Sequence, residues 1–152
     1  MINLLVKIIR SANRTFLCGN GGSAANALHW SNDLISVGIK AHALTGDVAT
    51  LTAIANDWGY EYVFARQLHV LAEKDDLLIA LSGSGKSDNI LRALEAAKEI
   101  GLTSVAIVGA FNNDTPAERR ATHTIRLGLD MQCAEEHQLI LVHQVWRELK
   151  EK

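Results

Sequence analysis

The stretch Leu77-Leu78-Ile79-Ala80-Leu81-Ser82-Gly83-Ser84-Gly85-Lys86-Ser87 decides the fold class. It opens with continuously apolar residues and turns at once into serine and glycine. A short apolar run that ends at glycine is typical of a strand buried on both faces, as in a parallel sheet. Residues 88–100 follow with apolar side chains at helical spacing and stop at Gly101, a common residue just past a helix end. We therefore predict a strand over residues 76–81, a glycine-rich loop and a helix.

The same order of strand and helix recurs along the chain. Further strands are predicted at residues 15–18, 41–45, 104–108 and 123–127, and further helices at residues 1–13, 23–37, 48–56, 61–71 and 134–149. The polar stretch 112–120 is predicted to be a loop with a short helix. This alternation predicts right-handed crossovers and an α/β fold. We expect a doubly wound, five-stranded parallel sheet with helices on both faces, as one domain over residues 1–152.

Composition and charge argue against several classes of function. Hydrophobic residues make up 48% of the 152 residues, charged residues 21%, and the formal net charge is −2. There is no dense lysine and arginine face to neutralise nucleic-acid phosphates. No apolar run reaches the roughly 18–20 residues of a membrane span, and residues 1–13 lack the features of a signal peptide. We expect a cytoplasmic protein that binds neither nucleic acid nor membranes, with Cys18 and Cys133 as free thiols.

Two glycine-rich loops follow predicted strands and precede predicted helices. The first is Gly19-Asn20-Gly21-Gly22-Ser23 and the second is Ser82-Gly83-Ser84-Gly85-Lys86-Ser87. Because ligands of doubly wound sheets bind at the carboxyl ends of the strands, we expect both loops at one edge of the sheet. Each following helix offers free N–H groups and partial positive charge, and the second loop adds three hydroxyls. The combination suits a phosphate monoester; the alternative is a pair of tight turns without a ligand.

Two nucleotide-binding motifs are matched only in part. Gly85-Lys86-Ser87 resembles the end of a P-loop, but that motif needs a glycine where this chain has Ala80, inside the predicted strand. The spacing of Gly19, Gly21 and Ala24 fits a loose dinucleotide fingerprint. Its acidic partner should follow about 20 residues later, and Asp47 lies farther on, where it suits a helix cap. We therefore expect no nucleotide cofactor.

The two loops together resemble those of the SIS (sugar isomerase) domain family. The pattern is Cys-Gly-Asn-Gly-Gly-Ser at residues 18–23 and Ser-x-Ser-Gly-x-Ser at residues 82–87, and residues 51–57 and 63–67 resemble the sedoheptulose 7-phosphate isomerase (phosphoheptose isomerase) branch. The resemblance covers roughly residue 15 to the last residue. It implies a flavodoxin-like fold and an aldose–ketose isomerase that supplies D-glycero-D-manno-heptose 7-phosphate for lipopolysaccharide or related glycans. It also implies a homotetramer with active sites between subunits.

The resemblance assigns residues to the phosphorylated sugar. It places the three serines of the second loop on the phosphate, with help from the first loop. Asp57 is either the last turn of a helix or part of the sugar pocket, and Gln132, just before the closing helix, could bond a sugar hydroxyl. The predicted substrate-binding residues are Asn20, Gly21, Gly22, Ser23, Asp57, Ser82, Gly83, Ser84, Ser87 and Gln132.

Isomerisation through an enediol needs a base over the carbon and an acid or a metal at the oxygens. His29 and Asp33 are four residues apart and share one face of a predicted helix. By the resemblance they stand where the family has a histidine and a catalytic carboxylate, usually glutamate. The resemblance also pairs His143 with Glu135, which replaces a glutamine. It implies Asp33 and His143 as catalytic residues, and His29, Asp33, Glu135 and His143 as ligands of zinc or another divalent metal.

The sequence leaves several alternatives open. Eight residues separate Glu135 from His143, which turns the two side chains about 80° apart on a straight helix, so periodicity favours Glu136. His137 competes with His143 for the catalytic role. The apolar neighbours of His143 bury its surroundings and favour His143. Val37 is apolar where the family often has a basic residue, so another sugar phosphate could be the substrate. A non-catalytic module of the same fold, which binds a phosphosugar or a protein partner, competes with the enzyme.

Overall fold

The computed structural model describes residues 1–151, which contain a sheet of five strands that all run parallel. The strand order is β2-β1-β3-β4-β5, the order of flavodoxin-like folds. The predicted α/β class and five-stranded parallel sheet are therefore confirmed. The strands are β1 (Thr15–Gly19), β2 (Ala41–Ala43), β3 (Leu77–Ser82), β4 (Thr103–Gly109) and β5 (His123–Leu127).

Seven α-helices lie within residues 1–151. They are α1 (Ile2–Ser11), α2 (Gly22–Ser36), α3 (Val48–Trp58), α4 (Ala65–Leu71), α5 (Asp88–Ile100), α6 (Pro116–Arg120) and α7 (Met131–Lys150). The helix predicted over residues 61–71 is shorter than expected, because a 3₁₀ turn at Tyr60–Tyr62 precedes α4. No helix of the described chain is long and apolar enough to span a bilayer.

Helices cover both faces of the sheet, as predicted. Helices α1, α2 and α7 pack on one face, and α3 to α6 pack on the other. Successive side chains of β3 point to opposite faces, so Leu77 and Ile79 join the first core while Leu78 and Ala80 join the second. Because both faces are dry, the sequence of β3 is continuously apolar.

Two helix starts differ from their predicted positions. Helix α2 begins at Gly22, one residue earlier than predicted, and no side chain caps it. Helix α7 begins three residues earlier than expected, because the carboxylate of Asp130 accepts a hydrogen bond from the N–H of Cys133 at 2.8 Å. Gln132 therefore lies in the first turn of α7 rather than before the helix.

The topology brings the two glycine-rich loops together. Strands β1 and β3 are neighbours, with Cys18 opposite Ala80 and Gly19 opposite Leu81. Both loops leave the sheet at these adjacent carboxyl ends, where the strand order reverses direction. Ligands of doubly wound sheets bind at such a switch point.

Candidate active site

A small cavity lies between the two glycine-rich loops and the first turns of α7. Its volume is about 120 Å³. Because a water molecule occupies about 30 Å³ of liquid, the cavity has room for a phosphate group rather than for a whole sugar. We call it the phosphate pocket; its lining residues are Asn20, Ser23, Leu81, Ser82, Gly83, Ser84, Ser87, Met131 and Glu135.

The second loop is held in shape by its own serines. The hydroxyl of Ser82 accepts a hydrogen bond from the N–H of Gly85 at 3.1 Å, and that of Ser84 accepts one from Lys86 at 3.2 Å. Gly85 has a φ of +64°, and a Cβ there would lie 2.5 Å from the Thr115 hydroxyl, so only glycine fits. Ser87 is the N-cap of α5 but makes no capping bond with its side chain. Its hydroxyl and the first N–H groups of α5 are thus suited to an anion.

The first loop contributes space as well as N–H groups. Gly22 opens α2, and a Cβ on it would lie 2.3 Å from a carboxylate oxygen of Glu135. Because Gly22 has no side chain, the Glu135 carboxylate can lie against the start of α2. The helix dipole favours a negative charge there. Gly21 has a φ of +55° and is exposed, and the pocket lining includes neither glycine.

Asn20 links the first loop to α5, the helix that follows the second loop. Its side-chain amide exchanges two hydrogen bonds with Asn89 on α5, at 2.9 and 2.8 Å, and its oxygen also accepts one from the Tyr60 hydroxyl at 3.1 Å. Sequence reasoning missed Asn89, which is only 2% exposed, and Tyr60. The available signal was a polar residue on the buried face of a helix that starts at a glycine-rich loop.

A second group of functional side chains lies where α2 and α7 run side by side. The Nε2 atoms of His29 on α2 and His143 on α7 are 3.0 Å apart, although 114 residues separate them in sequence. Asp33, one turn after His29, places a carboxylate oxygen 3.4 Å from the same nitrogen of His29. The ligand atoms of these three residues all lie within 4.8 Å of one another. We call this group the His–Asp–His cluster.

The His–Asp–His cluster fits a borderline divalent ion such as zinc. Two imidazoles and one carboxylate with a fourth position left open are typical of catalytic zinc sites. Two nitrogens held about 2.0–2.1 Å from a tetrahedral zinc lie about 3.3 Å apart, close to the 3.0 Å between His29 and His143. The cluster is half open, since the His29 side chain is 44% exposed and that of Asp33 is 16% exposed.

The predicted fourth ligand, Glu135, lies outside the cluster. It stands eight residues before His143, a rise of about 12 Å along α7, and its carboxylate lines the phosphate pocket instead. The competing residues Glu136 and His137 are exposed, and His137 lies 3.7 Å from the Cys133 thiol. Of the two histidines weighed on α7, His143 is the one that reaches α2.

Two predicted sugar contacts lie outside the pocket lining. Asp57 is exposed in the last turn of α3 and accepts a hydrogen bond from the Asn56 amide at 2.9 Å. Gln132 is exposed in the first turn of α7. Cys18 and Cys133 are free. Burial raises the pKa of the Cys18 thiol, which keeps this neighbour of the first loop protonated and unreactive.

Comparisons with known proteins identify relatives along most of the chain. A family model described as "SIS domain" matches residues 1–109. Phosphoheptose isomerase of Helicobacter pylori (strain P12) is 42% identical over 114 residues, which are 71% of this chain and 59% of that protein. Phosphoheptose isomerase of Halorhodospira halophila is 36% identical over 148 residues, 91% of this chain and 74% of that protein. The chain spans about three fifths of the length of the Helicobacter relative.

Solved structures are similar over nearly the whole chain. A phosphoheptose isomerase from Francisella tularensis superposes with a TM-score of 0.90 at 29% identity, covering 99% of this chain and 85% of that one. Phosphoheptose isomerase GmhA from Neisseria gonorrhoeae gives a TM-score of 0.87 at 28% identity, and the superposition covers 99% of this chain and 83% of that one.

Proposed function

We propose that this chain, which belongs to the SIS domain family and to its phosphoheptose isomerase branch, interconverts sedoheptulose 7-phosphate and D-glycero-D-manno-heptose 7-phosphate. The observation that carries the proposal is the pairing of two sites on the same two helices. Helices α2 and α7 border the phosphate pocket at their first turns and hold the His–Asp–His cluster farther along. One site can hold the phosphate while the other acts on the far end of the sugar.

The phosphate is held by the second loop. Ser82, Ser84 and Ser87 line the pocket, and the first N–H groups of α5 follow directly after Ser87. Hydroxyls and helix N–H groups bind a phosphate dianion through charge-assisted hydrogen bonds. The Glu135 carboxylate faces the start of α2, so α5 is the helix that takes the phosphate.

The distance between the two sites suits a long sugar chain. From Ser23 at the pocket to His29 in the cluster, α2 rises by about 9 Å over six residues. Six carbon–carbon bonds of about 1.5 Å, extended in a zigzag, reach about 7–8 Å before the phosphate ester is added. A seven-carbon phosphosugar therefore spans from the pocket to the cluster better than a five-carbon one.

The cluster supplies the groups that proton transfer requires. In the ketose-to-aldose direction, Asp33 takes a proton from C1 and returns it to C2, while His143 gives a proton to the oxygen on C2 and then takes the proton that leaves the oxygen on C1. Asp33 is one methylene shorter than glutamate, so C1 has to approach α2 closely. His29, Asp33 and His143 would hold a divalent ion such as zinc, which would supply Lewis-acid stabilisation of negative charge at the sugar oxygens. His143 would carry the proton only while off the ion, because one ring nitrogen cannot ligate a metal and bear a proton at once.

A second copy of the chain completes the site. Enediol chemistry needs water to be excluded, yet the His29 side chain is 44% exposed. Large apolar residues are exposed on the same two helices, with Leu28 at 46% and Ile35 at 58% on α2 and Ile140 at 51% on α7. We interpret these residues as an apolar patch of the kind that is typical of an interaction surface. We propose a homotetramer, in the cytoplasm, that serves lipopolysaccharide or related glycan precursor synthesis.

The exposure of the cluster also favours a second candidate function, a phosphosugar-binding module without catalysis. The two are separated by following the loss of sedoheptulose 7-phosphate with zinc added and after chelation. The enzyme predicts turnover that is lost with the chelator and returns with zinc. Saturable binding of the phosphosugar with no turnover under any divalent metal would sink the isomerase and leave the binding module.

A further inference from the structure

Polar contacts join α2 and α7 at three levels. Near the phosphate pocket, Ser23 and Asn26 of α2 contact Gln138 of α7. The histidine pair of the His–Asp–His cluster follows, and farther along the Trp146 indole N–H donates to the Ser36 hydroxyl at 2.9 Å. The first level is the most deeply buried of the three, and of its residues only Ser23, which lines the phosphate pocket, has a role described so far.

Gln138 is the centre of that first level. It is 1% exposed, and its Oε1 accepts a hydrogen bond from the Ser23 hydroxyl at 3.2 Å and one from the Asn26 amide at 3.1 Å. Asn26 donates from the same nitrogen to the backbone carbonyl of Glu135 at 2.9 Å. One amide of α2 is thereby attached to two successive turns of α7.

The amide nitrogen of Gln138, unlike its oxygen, makes no contact of this kind. Its Nε2 is buried and has no hydrogen-bond partner among residues 1–151. A buried amide N–H without a partner opposes folding. Methionine, which is similar in size, would fill the same space without that penalty. The glutamine therefore does more at this position than stabilise the core.

We propose that Gln138 is a positioning residue that sets the register of α7 on α2, so that His143 meets His29. The inference rests on the proposed function, because it concerns the metal and proton-transfer cluster. Apolar packing tolerates sliding between helices, whereas a bonded buried polar network specifies one arrangement. A slip of one residue moves α7 by about 1.5 Å along its axis and turns it by about 100°, which would separate nitrogens that now lie 3.0 Å apart.

The test is Gln138→Met in the full chain, with zinc as the probe. The zinc Kd of the metal-free protein is measured by competition with a chromophoric chelator, and the unfolding midpoint is measured on the same sample. We expect the zinc Kd to rise about 10–100-fold, as for other residues that orient metal ligands. The midpoint should stay level or rise, and the affinity for inorganic phosphate should stay within about twofold of wild type, because the second loop is untouched.

Gln67→Met is the matched control. Gln67 is also a buried glutamine, and its Nε2 donates to the carbonyls of Leu44 and Val63 on the other side of the sheet. We expect it to lower the unfolding midpoint and leave the zinc Kd unchanged. If Gln138→Met fails to fold, Asn26→Ala removes the α2 side of the same contact and should weaken zinc binding likewise.

The outcomes separate the inference from the function on which it rests. A wild-type chain that binds no zinc overturns both the metal site and the role of Gln138. A wild-type chain that binds zinc, with Gln138→Met or a folded Asn26→Ala binding it equally well, overturns only the positioning role.

Discussion

Ser84 is the residue whose role can be isolated most cleanly. Ser84 lines the phosphate pocket, and among residues 1–151 its hydroxyl is bonded only to the Lys86 N–H. We expect Ser84→Ala to weaken the binding of inorganic phosphate or phosphosugar by about 1–3 kcal/mol, the loss of one charge-assisted hydrogen bond. Titration calorimetry measures it, with the exposed Ser11→Ala on α1 as the control. Unchanged affinity in Ser84→Ala would place the phosphate elsewhere.

His143 carries the prediction for proton transfer. We expect His143→Gln to lower turnover by about 10²–10⁴, the usual contribution of general acid–base help, with substrate affinity largely kept. His137→Gln is the matched control on the same helix, because His137 is exposed and faces Cys133. Steady-state kinetics on both variants decide the matter. Equal activity of the two, or a His143 variant that only unfolds, contradicts the assignment.

The sequence predicted which residues line the site better than it predicted their contacts. Ser82, Ser84 and Ser87 could be placed because one short loop contains them all. Asn89 could not, since its partner Asn20 lies 69 residues away in sequence. Glu135 was predicted to bind metal from its place in a motif, but a straight helix carries it to the phosphate pocket instead.

At the scale of elements, the N-cap of α3 tests how a predicted local signal contributes to stability. Asp47 accepts hydrogen bonds from the Thr50 side chain and from the Thr50 N–H, and these bonds lower the pKa of its carboxyl. We expect Asp47→Ala to lower the unfolding midpoint by about 2–4 °C near pH 7, as for the loss of a helix cap in a chain of this size.

The pH dependence of that loss follows from the sign of the shift. A carboxyl with a lowered pKa stabilises the folded state above its unfolded pKa of about 3.9, and this stabilisation disappears as the pH falls through the folded pKa. The difference in midpoint between wild type and Asp47→Ala should therefore be full at neutral pH and shrink below about pH 4. If thermal unfolding gives the same difference in midpoint down to pH 3, the negative charge of Asp47 contributes nothing to the stability of the folded state.

Some elements could be predicted closely and others could not. Helix α5 has the predicted bounds, because an N-cap serine and a C-terminal glycine both mark it. The N-terminal ends of α2 and α7 differ from prediction for opposite reasons. Ser23 is a residue type that often caps helices, but its hydroxyl bonds Gln138 instead, whereas the carboxylate of Asp130 caps α7 three residues before the predicted start. A side chain that caps a helix and one that makes a tertiary contact cannot be told apart from composition alone.

At the scale of the whole molecule, the exposed apolar patch predicts self-association. We expect wild-type protein to run by size exclusion with light scattering at about four times the mass of one chain. Ile35→Glu, on the α2 side of the patch, should reduce that mass because a charge would be buried between copies. Val70→Glu is the control, since Val70 is 82% exposed on α4, which packs on the other face of the sheet. A monomeric wild type contradicts the proposed tetramer.

The topology could be predicted because strand–helix alternation and two glycine-rich strand ends allow few arrangements. It predicted that the two loops lie at one edge of the sheet, which the structure confirms, and the pairing of β1 with β3 makes them neighbours there. The approach of α2 to α7 could not be predicted in the same way, because side chains 114 residues apart decide it. That one domain extends over residues 1–152 stays a prediction.

The most direct test of the isomerase is proton NMR of the zinc-supplied chain with sedoheptulose 7-phosphate in D₂O. If Asp33 moves the proton between C1 and C2, aldose signals appear, and solvent deuterium enters C2 of the product to the extent that the proton on Asp33 exchanges with solvent before it is returned. Saturable phosphosugar binding, with no aldose formed and no deuterium incorporated at C1 of the ketose, would contradict the proposal.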